Sequence, residues 1–178
     1  MTEAQIIEKL LAFIAADDET EAAFDRLALD LFAYQFENNA PYRRFATQRA
    51  KTIRTVRTWR DIPPVPISAF KDLTLSCRTP DDTFRVFMTS GTTKGGLRGK
   101  SYHPTRAVYD ASMTTNFRRR FMPDRDRIRM GILFPDEQAM PNSSLAHYLA
   151  LAFRAFGAED SPYLLGEGGL DSARVFAE

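Results

Sequence analysis

Apolar residues recur at helical spacing in the first third of the chain. The first stripe is Ile6, Leu10, Phe13 and Ile14, and the second is Phe24, Leu27, Leu31 and Tyr34. Each stripe falls on one face of a helix with 3.6 residues per turn. Capping signals precede both, Thr2 with Gln5 and Asp18 with Glu21. With a third helix from Tyr42 to about Ile53, the pattern predicts a helical N-terminal region over residues 1–60.

The pattern changes after residue 60. Pro63, Pro64 and Pro66 exclude a helix and impose an extended path. The following segments are a strand over 84–88, a helix from Pro104 to about Phe121, a strand over 128–134, a helix capped by Asn142 or Ser143 that ends near Gly157, and a short strand over 161–165. This alternation predicts an α/β fold over residues 61–178, in which flanking helices cover a partial parallel sheet.

Charge is unevenly distributed, although the net charge is only +1. Residues 1–39 contain nine acids, whereas residues 40–60 contain seven bases and no acid. Such a basic run is typical of nucleic-acid binders, but it lacks the interleaved aromatic residues on which single strands stack. The alternative is that the acidic helices lie against the basic segment. We expect no nucleic-acid partner.

Composition favours a globular protein of the reducing cytoplasm. The 178 residues are 44% hydrophobic, which is ample for a core. No apolar run approaches the roughly 20 residues of a membrane span, and no secretion signal is visible, so we expect no membrane association.

Cys77 is the only cysteine and has no histidine in its own segment, which favours a structural role. The adjacent acids Asp136 and Glu137 are expected to be solvated in a turn, and no metal-ligand set is predicted.

The strongest chemical signal is a loop rich in hydroxyls and glycines after the strand at 84–88. The loop residues are Thr89, Ser90, Gly91, Thr92, Thr93, Lys94, Gly95 and Gly96, followed by Arg98 and Lys100. Small residues let a backbone approach a phosphate, while hydroxyls, amides and cations bind its oxygens. A plain glycine-rich surface loop is the alternative. A P-loop ending at Lys100-Ser101 does not fit, because its glycines are one residue too close.

Thr-Ser-Gly-Thr-Thr after a strand resembles the phosphate-binding loop of the adenylate-forming enzymes, the acyl-CoA synthetase-like superfamily. Within it, the chain most resembles the acyl-protein synthetases of bacterial luminescence, the long-chain-fatty-acid luciferin-component ligases. The proline-rich stretch over 61–71 and Ser143-Ser144-Leu145, followed by Tyr148, resemble further segments of that family. The similarity covers residues 30–165 and the N-terminal part of the family pattern only. We therefore expect this chain to be inactive by itself.

The resemblance implies an ATP-dependent ligase that uses Mg²⁺. Such an enzyme joins a fatty or other carboxylic acid to AMP and then transfers the acyl group to a thiol, with an acyl-accepting protein as a further partner. Lys94, Arg98 or Lys100 would supply the cation at the phosphates. His103 follows the loop, where it would contact substrate or nucleotide or act as a cap. His147 would line the acyl pocket or pack in the core. A non-catalytic binding module of the same fold is the alternative. We expect self-association into a homo-oligomer.

Overall fold

The computed structural model describes residues 1–16, 20–89, 98–166 and 168–177. The chain forms two compact units, residues 1–108 and residues 109–178. We call these unit 1 and unit 2 and describe each by itself. The sequence-based division into a helical region over 1–60 and an α/β portion over 61–178 follows the predicted helices and strands instead of compactness, and it stays a prediction.

Three helices open unit 1: α1 (Glu3–Ala16), α2 (Glu21–Asn38) and α3 (Ala40–Gln48). The predicted capping box is confirmed, since the Gln5 side chain accepts a hydrogen bond from the Thr2 amide and the Thr2 hydroxyl accepts one from the Gln5 amide. At the start of α2 the Thr20 hydroxyl accepts from the Ala23 amide at 3.3 Å. The predicted cap Asp18 lies outside the described residues.

The third helix is shorter than predicted. Asn39 ends α2 and caps α3, its side chain accepting a hydrogen bond from the Tyr42 amide at 3.2 Å. The helix ends at Gln48, and Ala50 takes a positive φ of 56°. This left-handed residue turns the chain, and the Lys51 amide bonds back to the Ala46 carbonyl at 3.0 Å. The predicted continuation to Ile53 is therefore wrong.

The core of unit 1 forms where α2 and α3 meet the proline-rich stretch. Its buried residues are Phe32, Tyr42, Ala46 and Val56, with Leu29, Phe36, Phe45, Ile62 and Val65 packed against them. As predicted, residues 62–66 are not helical. The Tyr42 hydroxyl donates to the Pro63 carbonyl at 3.3 Å. The prolines thus hold an extended segment against the helices and lead it into the short helix α4 (Ala69–Asp72).

Part of the basic segment contacts the acidic helices. Arg60, in the short 3₁₀ helix Trp59–Asp61, pairs with Glu21 of α2. The Trp59 amide donates to Asp25 at 2.5 Å, and the Phe24 and Trp59 rings meet edge to face with centroids 5.6 Å apart. These contacts support the alternative that the acidic and basic segments of the chain lie against each other.

The strands of the described residues pair antiparallel. In unit 1, β1 (Arg85–Met88) pairs with β2 (Lys100–His103); in unit 2, β3 (Leu165–Gly166) pairs with β4 (Gly169–Leu170). The mixed α and β content agrees with the prediction. Parallel pairing is limited in the described residues to two isolated bridges, Ile128 with Gly157 and Ile132 with Tyr163. The predicted strand at 128–134 is thus only partly formed, since Ile128 and Ile132 are its only residues with a bridge partner among the described residues.

Unit 2 is built on two helices. Helix α5 (Ala107–Phe121) begins in the last two residues of unit 1, and α6 is Ser144–Phe156. The predicted ends of α6 are confirmed, because the Ser143 hydroxyl accepts from the Ala146 amide and Gly157 follows as the C-terminal cap. The rings of Phe117 and Phe156 stack with centroids 5.1 Å apart and join the two helices. A short helix, α7 (Ser172–Ala177), follows β4.

Several large apolar side chains lie at the surface of unit 2. They are Phe121, Leu133, Met140, Leu145, Leu170 and Phe176. Self-association through such residues stays a prediction. Among the helices of the described ranges, none is both long and apolar enough to cross a bilayer.

Candidate functional site

The loop with the strongest chemical signal connects β1 to β2. Residues 90–97 lie outside the described residues, so the structure describes the base of the loop, at Thr89 and at Arg98 to Lys100. The Thr89 amide donates to the Gly99 carbonyl at 2.9 Å, and the Gly99 amide donates to the Thr89 hydroxyl at 2.9 Å. This reciprocal pair continues the hairpin beyond its last ladder residues, Met88 and Lys100. The Thr89 hydroxyl therefore has a structural role at the base of the loop.

Gly99 is the point at which the hairpin approaches α4. A Cβ at this position would lie 3.3 Å from the Thr89 methyl and 3.6 Å from both Cβ and the carbonyl oxygen of Phe70. Gly99 is buried although its neighbours Arg98 and Lys100 are exposed. Absence of a side chain thus lets the base of the loop pack on α4, while the flanking cations face solvent.

Replacing Gly99 with alanine is expected to destabilise the chain by about 1 kcal/mol, because the added methyl overpacks the contact with Thr89 and Phe70. Urea unfolding followed by circular dichroism measures the change. Gly166→Ala is the matched control, since a Cβ there would meet no atom within 4 Å. Equal stability of the two variants would contradict the close packing of Gly99.

A concave pocket of about 410 Å³ opens beside the base of the loop. Its lining residues are Phe70, Lys71, Asp72, Leu73, Thr74, Met88, Arg98, Lys100 and Tyr102. The structure thus brings together two of the predicted cations, Arg98 and Lys100, on one pocket. It adds Lys71 of α4, which the sequence interpretation missed. Lys71 belongs to the Phe-Lys pair that ends the proline-rich stretch. That pair is the sequence feature from which Lys71 could have been predicted.

His103 lies on the other face of the hairpin. In the register of β1 and β2, Phe87 opposes Ser101, and His103 stands two residues further along the same strand face. The His103 ring meets the Phe87 ring edge to face with centroids 5.1 Å apart, and its Nε2 lies 3.1 Å from the Ser101 hydroxyl. His103 is therefore half-buried against Phe87 and is not among the residues that line the pocket.

His147 is the most deeply buried polar side chain of the described residues, with no exposed surface. Its Nδ1 lies 2.5 Å from a Glu137 carboxylate oxygen, and its Nε2 lies 2.8 Å from an Asp110 carboxylate oxygen. Both ring nitrogens of His147 therefore lie within hydrogen-bonding distance of a carboxylate. The histidine thus ties α6 to α5 and to the turn before α6.

The surroundings of His147 complete this buried cluster. Burial by itself would raise the pKa of Glu137, but hydrogen bonds from His147 and Arg154 outweigh it and lower the pKa below its ordinary value. The Tyr109 ring lies 5.5 Å from the His147 ring, and its hydroxyl donates to the Ser144 carbonyl at 3.1 Å. Burial raises the pKa of Tyr109. This arrangement supports the core-packing alternative for His147.

The expectation that Asp136 and Glu137 are merely solvated is wrong for Glu137. Asp136 caps the turn, accepting from the Gln138 and Ala139 amides at 2.9 Å each. Glu137 instead turns to the buried imidazole. Neither it nor Asp110 was singled out as a site residue, because the two contacts join residues 10 and 37 positions apart and depend on how the helices pack. Across the described ranges, no three His, Cys, Asp or Glu side chains come together as a metal site.

Cys77 lies in a polar cluster of unit 1 beside the start of α1. Glu3 pairs with Arg78, and the Tyr34 hydroxyl donates to Glu3 at 3.4 Å. Burial, with a smaller contribution from the Glu3 charge, raises the pKa of Cys77 to about 11. Burial also raises the pKa of Tyr34 to about 12. The thiol is therefore protonated at neutral pH, which agrees with a structural role.

Of the predicted phosphate loop, Ser90, Gly91, Thr92, Thr93, Lys94, Gly95 and Gly96 lie outside the described residues, so their contribution stays a prediction. No protein-family model, curated protein or solved structure matches the chain in the comparisons made with each.

Proposed function

We propose that the loop 89–96 binds the phosphates of ATP and that the chain is the N-terminal portion of an ATP-dependent acyl-protein synthetase. One observation carries the proposal. The loop of hydroxyls and glycines leaves and re-enters the hairpin beside a pocket to which Arg98 and Lys100 contribute cations. Hydroxyls, amides and cations at one place are the groups that bind phosphate oxygens.

The proposed reaction uses these groups for positioning and charge stabilisation. A carboxylate oxygen of a fatty acid attacks the α-phosphorus of ATP, and the bond from that phosphorus to the bridging oxygen breaks. Pyrophosphate leaves with the bond electrons. A thiol then loses its proton and attacks the acyl carbon of the acyl-adenylate, and AMP leaves as the thioester forms. Donors that hold the terminal phosphates stabilise the charge that develops on the leaving group.

Mg²⁺ would enter this site with the nucleotide. It usually binds through one or two carboxylates together with substrate phosphates. Asp72 is the carboxylate among the residues that line the pocket and would be its protein ligand. When bound, the ion would neutralise charge on the phosphates.

The fold proposed for the longer protein is the first part of an adenylate-forming large domain. The isolated parallel bridges at Ile128 and Ile132 support it, because they place two segments of unit 2 side by side in the direction that a parallel sheet requires. A cytoplasmic location would supply ATP and keep the lone thiol reduced.

Nucleotide binding tests the proposal. Isothermal titration of the 178-residue chain with Mg-ATP is expected to show saturable binding, and Thr92→Ala with Thr93→Ala is expected to weaken it about tenfold, since hydroxyl donors to a charged phosphate are lost. Binding is the chosen measurement because the resemblance places no adenine-site or catalytic-lysine element in this chain.

Thr47→Ala is the matched control for the threonine variants, because Thr47 is exposed near the end of α3. The control is expected to bind like the wild type. The proposal is wrong if the wild-type chain does not bind ATP, or if the loop variant and the Thr47 variant bind it equally.

A further inference from the structure

One face of the hairpin forms a wall of the pocket beside the loop. Met88 opposes Lys100 directly in the antiparallel register, and Tyr102 stands two residues beyond Lys100. Directly opposed residues and residues two apart point to the same face of a sheet. All three line the pocket, while Phe87 and His103 occupy the other face.

Helix α4 forms the facing wall. The contact between Gly99 and Phe70 holds α4 against the base of the loop, and the residue after Phe70 is Lys71. Lys71 is half-buried and lines the same pocket as Arg98 and Lys100. Two separate segments of the chain therefore supply cations to one concavity.

The charge of this pocket is unbalanced. Among the described residues that line it, three are cations and one, Asp72, is an acid. Within the part of the chain that the structure describes, neither Lys71, Arg98 nor Lys100 forms an ion pair, whereas Lys51 in the same unit pairs with Asp61 at 3.2 Å. Cations gathered in a concavity without protein partners attract a multiply charged anion.

We propose that this pocket binds the pyrophosphate moiety of the nucleotide and that Lys71 is a phosphate-binding residue in addition to the loop. The inference rests on the proposed function, since it identifies where the β- and γ-phosphates and the leaving pyrophosphate lie. A volume of about 410 Å³ is within the range of small-molecule pockets. Tyr102 lines the same pocket, and its hydroxyl would be a neutral donor to the ligand.

Titration calorimetry with Mg-ATP, inorganic pyrophosphate and AMP at fixed ionic strength tests the inference. Lys71→Gln is expected to weaken pyrophosphate and Mg-ATP binding about tenfold. AMP lacks the terminal phosphates and is expected to bind neither the wild type nor the variant. Lys71→Arg is expected to restore most of the affinity. Arg43→Gln is the matched control, since it removes the same charge from an exposed position on α3.

The outcomes separate the two proposals. If ATP binds but Lys71→Gln and Arg43→Gln bind pyrophosphate equally, the pocket assignment is wrong and the loop proposal stands. If pyrophosphate binds in a manner that depends on Lys71 while ATP does not bind, the pocket stands and the ATP proposal is wrong. If the folded wild-type chain binds neither ATP nor pyrophosphate, both proposals are wrong. An unchanged thermal unfolding midpoint establishes that Lys71→Gln is folded.

Discussion

Replacing His147 with alanine is expected to lower the free energy of unfolding of unit 2 by about 3 kcal/mol, the scale of leaving buried charged groups without their hydrogen-bond partner. The imidazole has no exposed surface and lies within 2.5 Å of Glu137 and 2.8 Å of Asp110. Its removal leaves two carboxylates facing each other across a cavity. Both the desolvation of the carboxylates and their mutual repulsion then oppose folding.

Urea unfolding at pH 7 measures this loss, and Arg154→Ala provides the control. Arg154 contacts the other carboxylate oxygen of Glu137 at 3.2 Å, but 55% of its side chain is exposed. An exposed ion pair contributes little, so the control is expected to cost less than about 1 kcal/mol. If the two variants lost similar stability, the buried histidine would not be the centre of the cluster.

The elements that were predicted correctly have short-range signals. The capping box of Thr2 and Gln5 and the cap Ser143 require only residues three apart, and the structure confirms both. The proline-rich stretch is equally local, because each proline restricts its own backbone and that of the residue before it. Such features can be predicted because the interacting atoms are already neighbours in the sequence.

The sheet could not be predicted in the same way. The four residues of β2, Lys100–His103, alternate between a pocket face and a face packed on Phe87, but two of them are strongly polar. They therefore lack the apolar alternation by which a strand is recognised. Pairing with β1 across the loop decides their structure, and pairing is a long-range property.

The same limit applies to the candidate site. The loop residues were predicted from their own chemistry, as were Arg98 and Lys100. Lys71 lines the same pocket only because α4 packs against Gly99. Lys71 and Gly99 are 28 positions apart in the sequence. The contacts of His147 with Asp110 and Glu137 likewise depend on how α5, α6 and the intervening turn pack. Composition and spacing carry no information on such contacts.

Cys77 is expected to react with iodoacetamide about a hundredfold more slowly at pH 8 in the folded chain than in the unfolded chain. The thiolate is the nucleophile, and burial followed by the Glu3 charge raises the thiol pKa from 9.0 to about 11. Two pKa units correspond to about a hundredfold smaller thiolate fraction at a pH below both values. The labelling rate of the folded chain should therefore keep rising with pH until about pH 11.

Mass spectrometry of samples quenched over time, with and without urea, measures both rates in the same protein. The unfolded chain is its own matched control, because it contains the same single thiol in the same sequence. Equal rates at pH 8 would show that the thiol is accessible and easily ionised, and Cys77 would then become a candidate for the acyl-accepting nucleophile. A hundredfold difference leaves that acceptor to a thiol other than Cys77, because a protonated, half-buried sulfur attacks an acyl-adenylate poorly at neutral pH.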